Sequence, residues 1–239
     1  MQNEVYSQAK SQTVDAGLRS YMQKVYNFMA GGLCVTGLAA WLIANTSLIK
    51  VFFNLTPQGV ELSGFGWLAL IAPLVMVFAF GWVVNKGTAG QVQALFWSYA
   101  AIMGIGLTPV FLLYTQSSLV RVFLITAGSF GALSLYGYST KRDLTGFGSF
   151  LYMGLFGLII ASIVNIFLKS SGFDWALSVL GVGIFAGLTA FDSQKIRLLY
   201  NASDSNDTLT KKALSGALEL YLDFINLFLY LLRFLGDRR

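Results

Sequence analysis

"LSGALELYLDFINLFLYLLRF", residues 214–234, is long enough to cross a bilayer, yet it carries a glutamate, an aspartate and an arginine. A spanning helix needs about 20 residues at a rise of ~1.5 Å each. Glu219, Asp223, Asn226, Tyr230 and Arg233 follow one another at intervals of 4, 3, 4 and 3. At about 100° per residue these five fall within roughly 80° of one another, so a helix gathers them into one polar stripe. The opposite face, with Leu222, Phe224, Ile225, Leu229 and Leu232, is apolar. An ionised group facing lipid at bilayer depth costs at least ~2.5 kcal/mol. The stripe therefore has to face a bundle interior or a water-filled path. Glu219 and Arg233 are near enough to the ends to snorkel; Asp223 is the deep one.

The remainder of the 239-residue chain supplies the bundle. Hydrophobic residues make up 56% of it and charged residues 11%, against about 25% charged in ordinary soluble domains. That leaves too little polar cover for a soluble fold, and the class is an all-α integral membrane protein. Apolar segments fall at about 27–46, 65–84, 91–114, 119–138, 146–168 and 175–195, ahead of 214–234. Seven transmembrane helices in one domain, residues 25–239, are expected. Residues 1–24 are polar and mixed, as a cytosolic tail or short interfacial helix would be. Gly183-x-x-x-Gly187 on the sixth segment would let helices approach closely.

Lys and Arg collect on the cytosolic side of a membrane protein. With the N-terminus inside and seven spans, Lys50, Arg121, Lys169, Arg233, Arg238 and Arg239 lie outside and the other ten of the 16 basic residues inside. The bias favours a cytosolic N-terminus and an outer C-terminus. A re-entrant last segment would instead return the basic C-terminus to the cytosol.

Several chemistries are excluded. The chain has no histidine and one cysteine, Cys34. A Ser-His-Asp triad, a His-ligated zinc and a thiolate cluster are therefore out of reach. Any metal must be a hard cation held by oxygen, calcium or magnesium. An aspartyl protease of the GxGD type is disfavoured, because "GVGI" at 181–184 lacks the aspartate. No enzymatic activity is expected. The net charge of +5 is spread thinly between apolar runs, which fits loop anchors and not a nucleic-acid surface.

Asp192 is the second unusual carboxylate. It follows a run without charge from Trp175 to Phe191 and precedes Lys195 and Arg197. A helix C-terminus disfavours negative charge, so the two bases suit that end and Asp192 does not. One explanation is a local pair with Lys195, anchoring the interface. The other uses topology: Asp192 and Asp223 both lie near the cytosolic ends of consecutive antiparallel helices, joined by the polar stretch "NASDSNDTLTKK" (201–212). There they can meet.

"AFDSQKI" (190–196), "LELYLDFINLFLYLLRFLG" (218–236) and "TKRDLTGFGSFLYMGLFGLIIASIVNIF" (140–167) closely resemble the transmembrane Bax inhibitor motif family, in its bacterial branch. The resemblance runs over roughly residues 20–236. It implies seven helices with the last one central in the bundle. It implies a pH-sensitive calcium leak, or alternatively a non-conducting regulator that binds a membrane-bound AAA protease or another membrane partner. The family's aspartate pair falls on Asp192 and Asp223, which would form the pH gate and meet calcium. Glu219, Asn226 and Tyr230 would line the pore. Partners are then the lipid bilayer, calcium and protons, with no cofactor beyond calcium as transported or regulatory ion. The location would be a bacterial inner membrane. Where members can carry arginines at the inner end of the second helix, this chain has Val83, Val84 and Asn85, followed by Lys86.

Overall fold

The computed structural model describes the backbone of residues 2–56 and 59–239, and the side chains of residues 16–54, 56 and 61–239. The elements are α1 (Gln2–Ala44), α2 (Ile49–Phe52), β1 (Phe53–Thr56), β2 (Gly59–Leu62), α3 (Gly64–Lys86), α4 (Ala89–Leu113), α5 (Gln116–Ser139), α6 (Thr145–Leu168), α7 (Ser171–Leu198) and α8 (Asn206–Leu235). Among the described residues, six helices are long and apolar enough to span a membrane: α1 from Ala16, and α3 to α7. The fold is all-α and multi-pass. The expected seventh span, α8, is not among them; Glu219 and Asp223 interrupt its apolar run. α1 continues through residue 24 without a break, with Tyr21, Met22 and Val25 buried.

The hairpin β1–β2 was not expected from the sequence. It is antiparallel, with Phe53 opposite Leu62 and Asn54 opposite Glu61. The turn into α3 is fixed by Ser63, whose Oγ accepts from the Gly66 amide at 3.1 Å and donates to the Val51 carbonyl at 2.6 Å. Gly66 has to be glycine here, since a Cβ would strike the Phe52 carbonyl oxygen.

The chain divides into two compact units, Met1–Leu107 with Ile196–Leu218, and Thr108–Lys195 with Glu219–Arg239. In the first, the Thr36 hydroxyl donates to the Ala100 carbonyl at 2.8 Å, joining α1 to α4. Phe28, Phe96 and Trp97 pack edge to face beside it. The start of α8 is tied down by polar bonds. Asp207 accepts from the Ala89 amide at 3.0 Å, Lys211 donates to the Gly87 carbonyl at 3.2 Å, and Lys24 donates to Thr210 at 2.7 Å.

In the second unit α5, α6 and α7 pack on the second half of α8. Phe224 meets Phe123 and Phe130 edge to face at 5.5 and 5.4 Å. Close approach on α7 uses Gly187, as expected, and Gly181, but not Gly183. Gly183 has open space around its Cα, whereas Gly181 admits the Tyr230 ring and Gly187 admits Leu151. The C-terminal residues return to the α4–α5 junction. There the Thr115 amide donates to the Asp237 carbonyl at 3.1 Å, the Arg239 amide to the Leu113 carbonyl at 2.9 Å, and Arg121 pairs with Asp237 at 2.9 Å. α8 itself is buried on most sides: Leu214, Ala217, Leu220, Tyr221, Asp223, Phe224, Leu227 and Leu232 are all nearly inaccessible. The off-stripe face, which composition would assign to lipid, is inside too.

Candidate functional site

Asp192 lies on α7 less than two turns before its end, and Asp223 in the middle of α8. They are 4% and 5% exposed, and their carboxyl groups are close enough to interact directly. Two carboxyl groups in contact can hydrogen-bond only when one of them holds a proton. The Tyr152 hydroxyl of α6 donates to Asp192 Oδ1 at 3.3 Å. Lys195 Nζ stands 3.0 Å from Glu219 Oε2 and 3.8 Å from Asp192 Oδ1. The local pair of Asp192 with Lys195 therefore exists, but Lys195 is held more closely by Glu219. Asp223 Oδ2 is buried with no hydrogen-bond partner.

Each member is placed by local packing. Gly148 on α6 leaves room for the Phe191 ring. One turn on, Tyr152 meets that ring edge to face at 6.0 Å, which brings its hydroxyl over Asp192. Ser193 bonds to Ser134 of α5 at 2.8 Å. Gln194 is fully engaged with the α5–α6 loop: its amide donates to the Arg142 carbonyl at 2.7 Å and accepts from the Leu144 amide at 2.9 Å. At the start of α6 the Thr145 amide and hydroxyl both donate to Asp143, holding that exposed carboxyl below the usual aspartate range.

The structure brings Asp192, Asp223 and Glu219 together and separates them from the rest of the stripe. Asn226 donates to the Leu222 carbonyl of its own helix at 2.8 Å. Tyr230, about 10 Å along the axis from Asp223, stacks on Phe185. Arg233 lies over the Tyr230 ring and pairs with Asp174 at 3.1 Å. With Ser162 and Asn165 these residues border a separate cavity of about 340 Å³. Tyr152 and Gln194 were not singled out from the sequence. Tyr152 had one signal, its place one turn after Gly148; Gln194 had its position in the quoted "AFDSQKI".

The pair offers carboxyl oxygens of the kind a hard cation takes. Among the described residues no three His, Cys, Asp or Glu side chains are grouped to hold a metal ion. A calcium ion usually takes about 6–8 oxygens, so one meeting this pair would keep most of its water. Lys86 lies over the Trp82 ring at 5.6 Å, and the base beside Asp192 is Lys195.

Spanning helices, an all-α fold and a buried carboxyl pair define a multi-pass membrane protein. The family described as "Inhibitor of apoptosis-promoting Bax1" matches residues 18–239, and the chain belongs to this Bax inhibitor-like family. It is 46% identical over 226 residues to the inner membrane protein YbhL of Escherichia coli K12, covering 94% of each chain. It is 47% identical over 231 residues to the protein RP147 of Rickettsia prowazekii, covering 97% of this chain and 95% of that one. A membrane protein of Streptococcus pyogenes serotype M3 is 33% identical over 225 residues, covering 93% of this chain and 94% of its own.

Proposed function

We propose that this protein is a pH-sensitive calcium leak pathway of a bacterial inner membrane, gated by Asp192 and Asp223. The observation that carries it is the burial of the two carboxyls side by side, one from α7 and one from α8. With one proton shared, the pair holds α7 against α8. Loss of that proton leaves two carboxylates in contact, and their repulsion is relieved by separation, hydration or an arriving calcium ion. Lys195 sits beside the pair and offsets part of its charge, while Glu219, which holds Lys195, adds a negative charge of its own.

The same proposal takes α8 as a seventh, interior span. Its support is that α8, 30 residues long, is long enough to cross a bilayer and carries its acidic residue Asp223 buried in protein. The charge bias favours an N-terminus in the cytosol and a C-terminus outside.

The test is calcium flux through purified protein in dye-loaded liposomes across about pH 5–8, the span in which buried carboxyls commonly titrate. Flux that depends on pH without any added partner supports the leak. No flux in the unmodified protein removes it and leaves the non-conducting regulator of a membrane-bound AAA protease in front.

A further inference from the structure

We infer that Gln194 is the positioning residue of the carboxyl pair, fixing the rotation of α7 about its own axis so that Asp192 faces Asp223. The inference rests on the proton-gated function proposed above.

Gln194 follows Asp192 by two residues, about 200° around the helix. The two side chains therefore leave α7 on nearly opposite sides. Gln194 is 4% exposed, and a buried amide is costly unless both its ends are bonded. Both are, to backbone: Arg142 O at 2.7 Å and Leu144 N at 2.9 Å. Two bonds to the main chain of one short loop define a direction as well as a distance. Around them the back of α7 is held by Ser193 against Ser134 and by the Ala190 backbone against Gly137.

The front of α7 is where the charge lies. The groups facing Asp192 are Tyr152 from α6, Lys195 on α7 itself, and Glu219 and Asp223 from α8. From α5 the neighbouring polar group is the neutral hydroxyl of Ser134, bonded to Ser193. A helix with its side chains is about 10–12 Å across, so a turn of ~20° moves a surface carboxyl by roughly 2 Å. That displacement breaks a hydrogen bond. The contact between the carboxyls thus depends on the angle that Gln194 sets from the other side.

Gln194→Met keeps the length and approximate volume of the side chain and deletes both bonds. Two readouts in the purified full chain test it. The first is the infrared band of the protonated carboxyl pair across pH, identified by its loss in Asp192→Asn. The second is liposomal calcium flux over the same range. The expected result is a broadened carboxyl titration whose midpoint moves by at least ~0.5 pH unit, roughly threefold in proton concentration, with flux moving in step. A lower unfolding temperature with the carboxyl titration superimposable on wild type would make Gln194 a loop staple only and overturn the inference. If Gln194→Met does not fold, Gln194→Asn decides by the same band, since it keeps the amide but is one methylene too short to hold both bonds. Absence of calcium flux in the wild type would remove the leak while leaving the infrared comparison to judge Gln194.

Discussion

At the scale of single residues, the pair has to behave as one titrating unit. Asn keeps the size of Asp and can donate a hydrogen bond, so Asp192→Asn and Asp223→Asn each imitate the protonated partner permanently. Each substitution is expected to flatten the pH dependence of calcium flux, and the double variant should be little worse than either single one, because coupled sites are not additive. Lys195→Gln separates this from interfacial anchoring: an anchor would lose as much from Lys195→Gln as from Asp192→Asn. Persistence of wild-type pH dependence in both aspartate variants would end the gate. Asp143 gives a second, independent pH test outside the spans. Its folded value is lowered by the two bonds from Thr145, so its contribution to stability is present above the unfolded value and disappears as pH falls through the folded one. Asp143→Ala should therefore unfold at a lower temperature than wild type at pH 7, and the difference should vanish in acid below the ordinary ~3.9 of aspartate.

At the scale of elements, glycine on α5 offers a controlled comparison. A Cβ on Gly137 would collide with the Ala190 carbonyl of α7, whereas Gly128 and Gly131 on the same helix have nothing within 4 Å. Gly137→Ala should destabilise by about 1–3 kcal/mol, the usual range for overpacking, and push α7 away from α5. Thermal unfolding in detergent reads this, and Gly131→Ala should be neutral or slightly stabilising. Equal losses at both positions would mean that the α5–α7 approach is not the cause. The sequence exposed α7 and α8 well, because charge inside an apolar run is costly in lipid and Asp192, Glu219 and Asp223 had to be accounted for. It exposed less of what surrounds them. A tyrosine or glutamine in a spanning helix carries no charge, so Tyr152 and Gln194 are recognisable only by the groups they meet. Arg233 lies on the same stripe, but its partner Asp174 is 59 residues away in the chain, and periodicity on one helix cannot see it. The hairpin Phe53–Leu62 was hidden for a related reason: four-residue strands give too little alternation to stand out between apolar helices.

At the scale of the whole molecule, the decisive question is where the C-terminus lies. Composition counts six spans, since α8 carries more charge than a lipid-facing helix can afford. Burial removes that objection, because α8 presents Asp223, Leu220, Tyr221 and Leu227 to protein on different sides and not to lipid. A charged helix can cross a membrane when protein surrounds it. The bonds of Asp237 and Arg239 to Thr115 and Leu113 then place the C-terminus with the α4–α5 junction, on the side of Arg121. In the proposed orientation the α5–α6 loop with Lys141 and Arg142, near Gln194, would lie on the inner side. The expected outcome is that a cysteine replacing Asp237, in a Cys34→Ser background, reacts with a membrane-impermeant thiol reagent added from outside the inner membrane. A cysteine replacing Lys141 should react only after that membrane is opened. Because Asp237→Cys also removes the pair with Arg121, a cysteine at Arg238 provides the check on the same side. Labelling of position 238 solely from the cytosolic face would make the last segment re-entrant, and α8 could not then be the interior span on which the gate depends.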